Sequence, residues 1–335
     1  LMRAMLRGVP PNFLAIPFGL AGLGVVWRTM AESYGAPNMV ANVLLVTATV
    51  TLIEVVVAQL VRGPRQIVAD LRDSALSPFP SLAFIVPIVI AGGIVSVAPS
   101  LAKPVFIGAL IPVALTGGWM TGQWIAGDLD VAKAHPGYFL PTVAGGFLSA
   151  QVAPHVGLRS VGMLCFGVGV ACWLQLGSVI LTRLLFTTRL PTPLTPTLAI
   201  EVAPPAVAGS AYFALHGLRA DTVSYALAGY AVLMVLVQVR LLPLYLRLRF
   251  TPGFWAFTFS WSAVALLALH WLALTHPSAQ RPLAWLVCGA VTALVFAIAV
   301  RTVVALTRRD LVTPMPRRAL AHANVPRGPA ADAAR

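Results

Sequence analysis

Charged residues are scarce in this sequence: Asp, Glu, Lys and Arg make up 10% of its 335 residues. A soluble globular domain carries nearer a quarter. Hydrophobic residues make up 59% of the chain, and the mean hydropathy is +0.86. This composition excludes an ordinary soluble domain and predicts an integral membrane protein.

Patterns for catalysis or metal binding are also missing. Cys165, Cys172 and Cys288 lie in apolar stretches without disulfide or metal spacing, so we expect them to be reduced packing residues. The sequence has no HxxxH pair, no CxxC pair and no phosphate-binding loop, and Ser178 has no partner pattern for nucleophilic catalysis. We therefore expect that the protein is not an enzyme and that it binds no metal and no cofactor.

Acidic residues are outnumbered by basic ones, 10 to 23, which gives a net charge of +13. Nucleic-acid binding would be one interpretation of this charge. Membrane topology explains it better, because Lys and Arg gather in the cytoplasmic loops of membrane proteins. We expect no nucleic-acid partner.

Long apolar runs are what the sequence has in abundance. A transmembrane helix needs about 20 mostly apolar residues. On that scale the sequence predicts ten segments, at residues 12–30, 38–61, 81–98, 104–126, 137–154, 159–182, 197–217, 222–246, 254–274 and 283–306. The predicted transmembrane domain covers residues 1–310, and the Ala-, Pro- and Arg-rich residues 311–335 are predicted to be a disordered cytoplasmic tail.

Lys and Arg predict the orientation of these segments. Of the 23 basic residues, 18 lie in the N-terminus, in the connections after even-numbered segments or at the C-terminal end. The other five, on the opposite side, are Arg28, Lys103, Arg159, Arg219 and Arg281. This bias predicts a multi-pass protein of the inner (plasma) membrane with both termini in the cytoplasm.

The first, third, fifth and seventh segments share a motif: proline, three residues, then two small residues of which the second is glycine. The four occurrences are Pro17 with Ala21 and Gly22, Pro87 with Ala91 and Gly92, Pro141 with Gly145 and Gly146, and Pro204 with Ala208 and Gly209. Successive prolines are 70, 54 and 63 residues apart, about one helical hairpin each. The ninth segment lacks the proline and has Phe259 and Ser260 near its middle.

The repeat predicts an all-α fold of ten transmembrane helices, arranged as five hairpins around a central pore. Breaks at membrane depth are tolerated where neighbours or a water-filled cavity satisfy the freed backbone groups. The broken odd-numbered helices would share that cavity, and the smoother even-numbered helices would face lipid and partners. The alternative is that Pro and Gly are simply common in transmembrane helices and that small pairs let helices pack closely.

At this point the sequence resembles a known family. The stretches PNFLAIPFGLAGLG, YFLPTVAGG, IEVAPPAVAGSAY and GFWAFTFSW are similar to the tellurite-resistance/dicarboxylate transporter family, which includes bacterial TehA-type proteins and plant slow anion channels. The resemblance covers about residues 10–306. It implies a homotrimer with one pore per subunit, and passage of small anions, dicarboxylates, sulfite or related oxyanions.

The resemblance also implies a gate. In the channel members a phenylalanine on the ninth helix blocks the pore, and the matching FTFSW motif assigns that role to Phe259, with Phe257 as the competing position. Many members have proline or glycine after this phenylalanine, where this chain has Ser260. The residues expected to line or kink the pore are Pro17, Gly19, Pro87, Pro141, Thr142, Gly145, Pro204, Pro205, Ser210 and Ser260.

Two carboxylates within the segments are functional hypotheses. Glu54 lies on an even-numbered segment, where a contact between helices or subunits is the favoured role. Glu201 lies three residues before Pro204, where it could carry a proton or bind freed backbone groups. His216 and His270 are expected to be interfacial residues rather than proton relays.

Two functions remain open at this stage. The first is a gated channel that passes small inorganic anions, because the expected pore wall carries no fixed charge and strong binding would slow an ion's exit. The second is a proton-coupled carrier of dicarboxylate, sulfite or tellurite-related oxyanions, in which Glu201 or a histidine would carry the proton.

Overall fold

The structure is a computed structural model that describes residues 9–127 and 131–308, so the predicted C-terminal tail lies outside the described residues. Within these ranges every regular element is helical, which confirms the all-α prediction. The α-helices are α1 (Ala15–Tyr34), α2 (Asn38–Arg62), α3 (Pro64–Arg72), α4 (Leu82–Ile94), α5 (Pro99–Ala126), α6 (Gly145–Val152), α7 (Arg159–Phe186), α8 (Ala203–His216), α9 (Thr222–Tyr245), α10 (Trp255–Thr275) and α11 (Gln280–Thr307).

Eight helical stretches in the described ranges are long and apolar enough to cross a membrane, and they contain α1, α2, α5 and α7 to α11. The chain is therefore a multi-pass membrane protein. The predicted third and fifth segments form shorter helices, because α4 has 13 residues and α6 has eight. The count of ten spans stays a prediction.

The helices form an inner and an outer group. The inner helices are α1, α4, α6, α8 and α10: each packs against the next, and α10 packs back against α1, so that the five form a closed ring. Each inner helix also packs against the outer helix that follows it, namely α2, α5, α7, α9 and α11. The inner helices α1, α8 and α10 each contain an apolar 18-residue stretch that is 56% to 89% buried. In the outer helices the corresponding stretch is only 17% to 28% buried.

The proline motifs lie close to changes of helix type in three inner segments. Short 3₁₀ stretches lead into α1 at Pro11–Leu14 and into α8 at Thr195–Val202. Before α6 the chain forms a π-helical stretch at Leu140–Ala144, which contains Pro141. Such π-helical turns are uncommon and often mark functional sites.

The other two inner helices also follow 3₁₀ stretches, at Phe79–Ser81 before α4 and at Pro252–Phe254 before α10. Helix α4 carries Pro87 in its interior, and α10 runs unbroken from Trp255 to Thr275. A change of helix type thus precedes each of the five inner α-helices, including α10, which has no proline motif. Without a proline, α10 keeps its backbone hydrogen bonds and loses no donor inside the helix.

Two local features at helix ends were not predicted from the sequence. A buried ion pair between Arg62 and Asp70, 2.7 Å apart, joins the end of α2 to the short helix α3. At the other membrane side Asp221 caps α9 by accepting from the Ser224 backbone N–H, and it also accepts from the Tyr212 hydroxyl. These hydrogen bonds, led by that from Tyr212, lower the pKa of Asp221 to about 2.

Candidate functional site

Two cavities lie within the ring of inner helices. The wide cavity has a volume of about 430 Å³ and is lined by the C-terminal parts of the inner segments, including Gly22, Gly92, Val152, Ser210 and Leu266. The narrow cavity, about 50 Å³, is lined from the N-terminal side by residues that include Phe18, Leu140, Ala203, Pro204 and Ser260. Because the ring encloses both, they follow one another across the membrane-spanning part of the molecule.

Phe259 lies between the two cavities. Phe259 and Val207 belong to the walls of both, and no other described residue does. The Phe259 ring stacks on Phe18, with centroids 3.6 Å apart and planes inclined by 12°. A Cβ atom added at Gly22 would lie 2.8 Å from the Phe259 ring, so glycine is needed for this approach of α1 to α10.

Phe257 occupies a different environment. Its ring lies edge-on to Tyr245 of α9, with centroids 4.7 Å apart, and also contacts Phe254. It lines neither cavity. Two residues along a helix correspond to a turn of about 200°, which explains why Phe257 faces away from Phe259.

Ser260 does not interrupt α10. Its side chain lines the narrow cavity, and its hydroxyl donates to the Ala256 carbonyl over 2.8 Å, within a continuous helix. Ser262 lines the wide cavity and makes the same kind of bond to the Thr258 carbonyl, also over 2.8 Å. The hydroxyl protons of both serines are therefore already donated to the helix backbone.

The glycines of the repeated motif divide into two groups. Gly22 and Gly92 line the wide cavity. Gly145 and Gly146 do not: an added Cβ at Gly145 would lie 2.9 Å from Val113 of α5, and one at Gly146 would lie 2.8 Å from the Gly169 backbone nitrogen of α7. The pair in the fifth segment thus serves close packing against outer helices, unlike the open wall expected from the sequence.

Other expected pore residues also lie in helix contacts. An added Cβ at Gly19 would overlap the side chain of Thr258, and Thr142 packs close to Gly117 of α5. Pro17 and Pro205 are buried, but neither lines a cavity. Pro141 is likewise buried and lines neither cavity. Pro87 is half-buried and also lies in neither cavity wall. Of the expected pore residues other than Phe259, those in a cavity wall are Pro204 and Ser260 in the narrow cavity and Ser210 in the wide one.

The two carboxylates lie outside both cavity walls. Glu201 is buried in the 3₁₀ stretch before α8, and its Oε1 atom has no hydrogen-bond partner among the described residues. It lies within electrostatic reach of Tyr230 and Tyr245 on α9. Glu54 is exposed on α2, and no ion pair is found for it within the described ranges.

Sequence reasoning missed two residues of these cavities. Phe18, in the first proline motif, stacks on Phe259, but a contact between residues 241 positions apart leaves no local sequence signal. Arg28 was counted only as a loop charge, yet it is buried in α1 and lines the wide cavity. A lone arginine within an otherwise apolar run was the available signal, because such residues are rare inside membranes and often functional.

The narrow cavity and the constriction at Phe259 are uncharged: no Asp, Glu, Lys, Arg or His among the described residues lines that part. The wide cavity differs, since Arg28, Glu32, His155 and His270 belong to its wall. His216 lines neither cavity. The two cavities therefore differ: the narrow one is apolar, and the wide one has a buried cation in its wall.

A comparison with protein families matches residues 8–303 to the model described as voltage-dependent anion channel. This chain belongs to the voltage-dependent anion channel family. The match covers nearly the whole described part of the chain, including every inner helix. It confirms the family recognised from the proline motifs and the FTFSW stretch.

Individual members of the voltage-dependent anion channel family are similar to this chain over long stretches. The tellurite resistance protein TehA homolog of Haemophilus influenzae is 27% identical over 77% of this chain and 79% of its own length. The S-type anion channel SLAH3 of Arabidopsis thaliana is 24% identical over 90% of this chain. A second plant protein, the S-type anion channel SLAH2, is 28% identical over 57% of this chain. The chain spans about half of SLAH3 and about a third of SLAH2.

Proposed function

We propose that this chain is a gated channel for small inorganic anions, and that the Phe259 ring closes the path between the two cavities. The observation that carries the proposal is the position of this ring in the walls of both cavities. The relatives described as S-type anion channels support the choice of ion. The pathway would run through five helical hairpins, with ten membrane spans in all.

An apolar ring at the constriction would act as a closed gate. A hydrophobic constriction can exclude water from a pore, and an anion that enters it loses solvent without a compensating partner. The stack on Phe18 would hold the ring in this position. Opening would then require the Phe259 side chain to leave the stack.

The alternative of a proton-coupled carrier is less well supported by these residues. Its proposed proton carriers are Glu201 or a histidine: Glu201 belongs to neither cavity wall, and His270 lines the wide cavity but not the narrow one. A carrier would also need a proton gradient to drive anion movement. Anion current that persists in liposomes without a pH gradient, at rates above carrier turnover, favours the channel.

Truncation of the gate tests the proposal directly. We expect Phe259→Ala to raise anion flux at least tenfold in liposomes at matched protein, because removing only about 1.4 kcal/mol of a barrier has that effect. Phe257→Ala is the matched control, since its ring packs against Tyr245 instead of lining a cavity. It should leave the flux at the wild-type level.

The opposite results would contradict the gate. If Phe257→Ala opened the pathway and Phe259→Ala did not, the gate would be assigned to the wrong ring. If Phe259→Ala lowered the free energy of unfolding by about 3–5 kcal/mol without any rise in flux, the residue would be a core residue only.

We also propose that the protein lies in the plasma membrane with both termini in the cytoplasm, based on the 18 of 23 basic residues on that side. The wide cavity, at the C-terminal ends of the inner helices, would then open to the outside. Reporter fusions at each end should both give the cytoplasmic signal. An external signal from the C-terminal fusion alone would rule out an even number of spans.

A further inference from the structure

A groove on the outer surface of the protein is separate from the two cavities within the ring. Its volume is about 560 Å³, and it lies between the outer helices α2 and α5, with α4 as its floor. The apolar residues of its wall include Val56 and Leu60 of α2, Ala83 and Phe84 of α4, and Leu115 and Trp119 of α5. Phe84 belongs to an inner helix but is 38% exposed, so α2 and α5 leave this part of α4 uncovered.

The short helix α3 bridges the two outer helices at one end of the groove. The ion pair between Arg62 and Asp70, 2.7 Å apart, joins α3 to the end of α2. On the other side, Gln123 of α5 donates from Nε2 to the Leu71 carbonyl over 3.2 Å. Ile67, Asp70 and Leu71 lie in the groove wall. One side of α3 therefore faces the groove.

The opposite side of α3 is basic. Arg65 and Arg72 are seven residues apart and lie about 140° to 160° around the helix from Ile67. Both arginines are exposed, and no ion pair is found for either within residues 9–127 and 131–308. A helix with an apolar side and a basic side is typical of one that lies in the plane of the membrane interface.

The carboxylates near α3 do not cancel the positive charge of this side. Asp70 is held in its ion pair and also accepts from Gln66 Nε2 over 3.1 Å. Asp73, directly after α3, accepts from the backbone N–H groups of Ala75 and Leu76. Two exposed arginines therefore outweigh one exposed carboxylate.

We propose that the groove and α3 bind one anionic phospholipid of the cytoplasmic leaflet, with an acyl chain along the groove and the headgroup beside Arg65 and Arg72. This inference goes beyond the proposed channel function and does not depend on it. In the proposed topology, the connection after α2 lies on the cytoplasmic side. The surface of that leaflet is negatively charged, and each Lys or Arg near such a surface strengthens binding about fivefold.

The position of the groove favours a lipid over a second copy of the chain. Val56 comes two residues after Glu54, so it lies about 200° around α2 from the residue expected at a subunit contact. Trp119 in the groove wall is 51% exposed, and tryptophan is enriched at the level of the lipid headgroups. The groove thus lies on the lipid-facing side of α2, close to the membrane interface.

Native mass spectrometry of the detergent-purified full chain measures lipid binding directly. The probes are phosphatidylglycerol and phosphatidylcholine with the same acyl chains, so that only the headgroup differs. We expect the wild-type protein to bind one phosphatidylglycerol per chain about tenfold more tightly than phosphatidylcholine. The double variant Arg65→Gln, Arg72→Gln should lose most of this preference. The control Arg247→Gln, Arg249→Gln makes the same charge change at exposed positions after α9, on the same membrane side, and should keep it.

A second variant tests the acyl-chain part of the site. Ala83→Phe places a ring on the groove floor and should weaken the binding of both lipids about tenfold, whereas Ala290→Phe, on the exposed side of α11, should change neither. Because Arg65 and Arg72 are exposed, their variant tests the site even if Ala83→Phe does not fold.

Three results would overturn the proposal. Equal binding of the two lipids by the wild-type protein, or an unchanged preference in the arginine double variant, would remove the anionic headgroup from the site. Unchanged lipid binding in folded Ala83→Phe would place the acyl chain elsewhere. A wild-type protein that retains no lipid, together with an oligomer that dissociates in Ala83→Phe, would assign the groove to a contact between subunits.

Discussion

At the scale of single residues, the contact between Phe18 and Phe259 would decide how firmly the proposed pathway is closed. The two rings belong to helices at opposite ends of the chain, yet their centroids are 3.6 Å apart. An aromatic pair contributes about 0.5–1.5 kcal/mol beyond the burial of its surface. If the stack favours the closed position of Phe259 by that free energy, removing the Phe18 ring should change the flux measurably.

We expect Phe18→Ala to raise anion flux about two- to twelvefold, which is the stacking energy expressed as a ratio of populations. The effect should be smaller than that of Phe259→Ala and should vanish in the double variant, because Phe18 acts through the Phe259 ring. Liposome flux at matched protein is the measurement for all three variants. An equal rise from Phe18→Ala in the presence and absence of Phe259 would show that Phe18 only narrows the cavity it lines.

At the scale of helices, the close approach of α6 to α7 depends on glycine. An added Cβ at Gly146 would lie 2.8 Å from the Gly169 nitrogen and 2.9 Å from the Cys165 carbonyl oxygen. Both are backbone atoms of α7, which cannot move aside as a flexible side chain can. The two helices would have to separate to admit even one methyl group.

Gly146→Ala should therefore destabilise the folded protein by about 1–3 kcal/mol, the usual result of overpacking a close contact. Gly167→Ala on α7 is the matched control, because an added Cβ there has no atom within 4 Å. It should be neutral or stabilising by up to about 1 kcal/mol, since alanine favours the helix. Thermal unfolding in detergent measures both. Equal stability of the two variants would contradict the packing role of Gly146.

The repeated proline motif predicts which helices lie inside, but not which way each glycine faces. The proline and the small pair are visible because both the kink and the close packing require particular residues. Gly22 and Gly146 occupy the same motif position in different segments, yet Gly22 lines a cavity while Gly146 packs against the Gly169 backbone of α7. Inner helices are apolar on all sides, so hydrophobic periodicity cannot tell the pore side from the outer side.

The candidate site was predictable to a similar extent. Phe259 followed from the FTFSW motif, and Ser210 from its place beside the small pair. The contacts of Arg28 and Phe18 could not be predicted, because they involve partners in α2, α4 and α10 that meet them only in the folded ring; for Arg28 the sequence offered only its place in an apolar run. Such long-range contacts are set by tertiary packing and leave no spacing signal in the sequence.

At the scale of the whole molecule, the outer surface carries one feature that a lone subunit does not explain. Glu54 is exposed on α2 beside Val50, Ile53 and Val57, which are themselves about half exposed. A charged residue near the middle of a bilayer costs about 2.5–3.5 kcal/mol or more. Contact with a second copy of the chain would remove Glu54 from lipid and give it a hydrogen-bonding partner.

We therefore expect a homotrimer, as the family resemblance implies, with α2 at the contact between subunits. Glu54→Leu should lower the trimer fraction in mild detergent, because the leucine cannot replace the polar contact, whereas Glu54→Gln should retain most of it by hydrogen bonding. Ser178→Leu, a similar change on the exposed side of α7, is the control and should leave the trimer intact. Mass measurement of the detergent-solubilised protein distinguishes the variants. A wild-type protein that is only monomeric would refute the assembly, and an unchanged trimer in Glu54→Leu would move the subunit contact away from this face of α2.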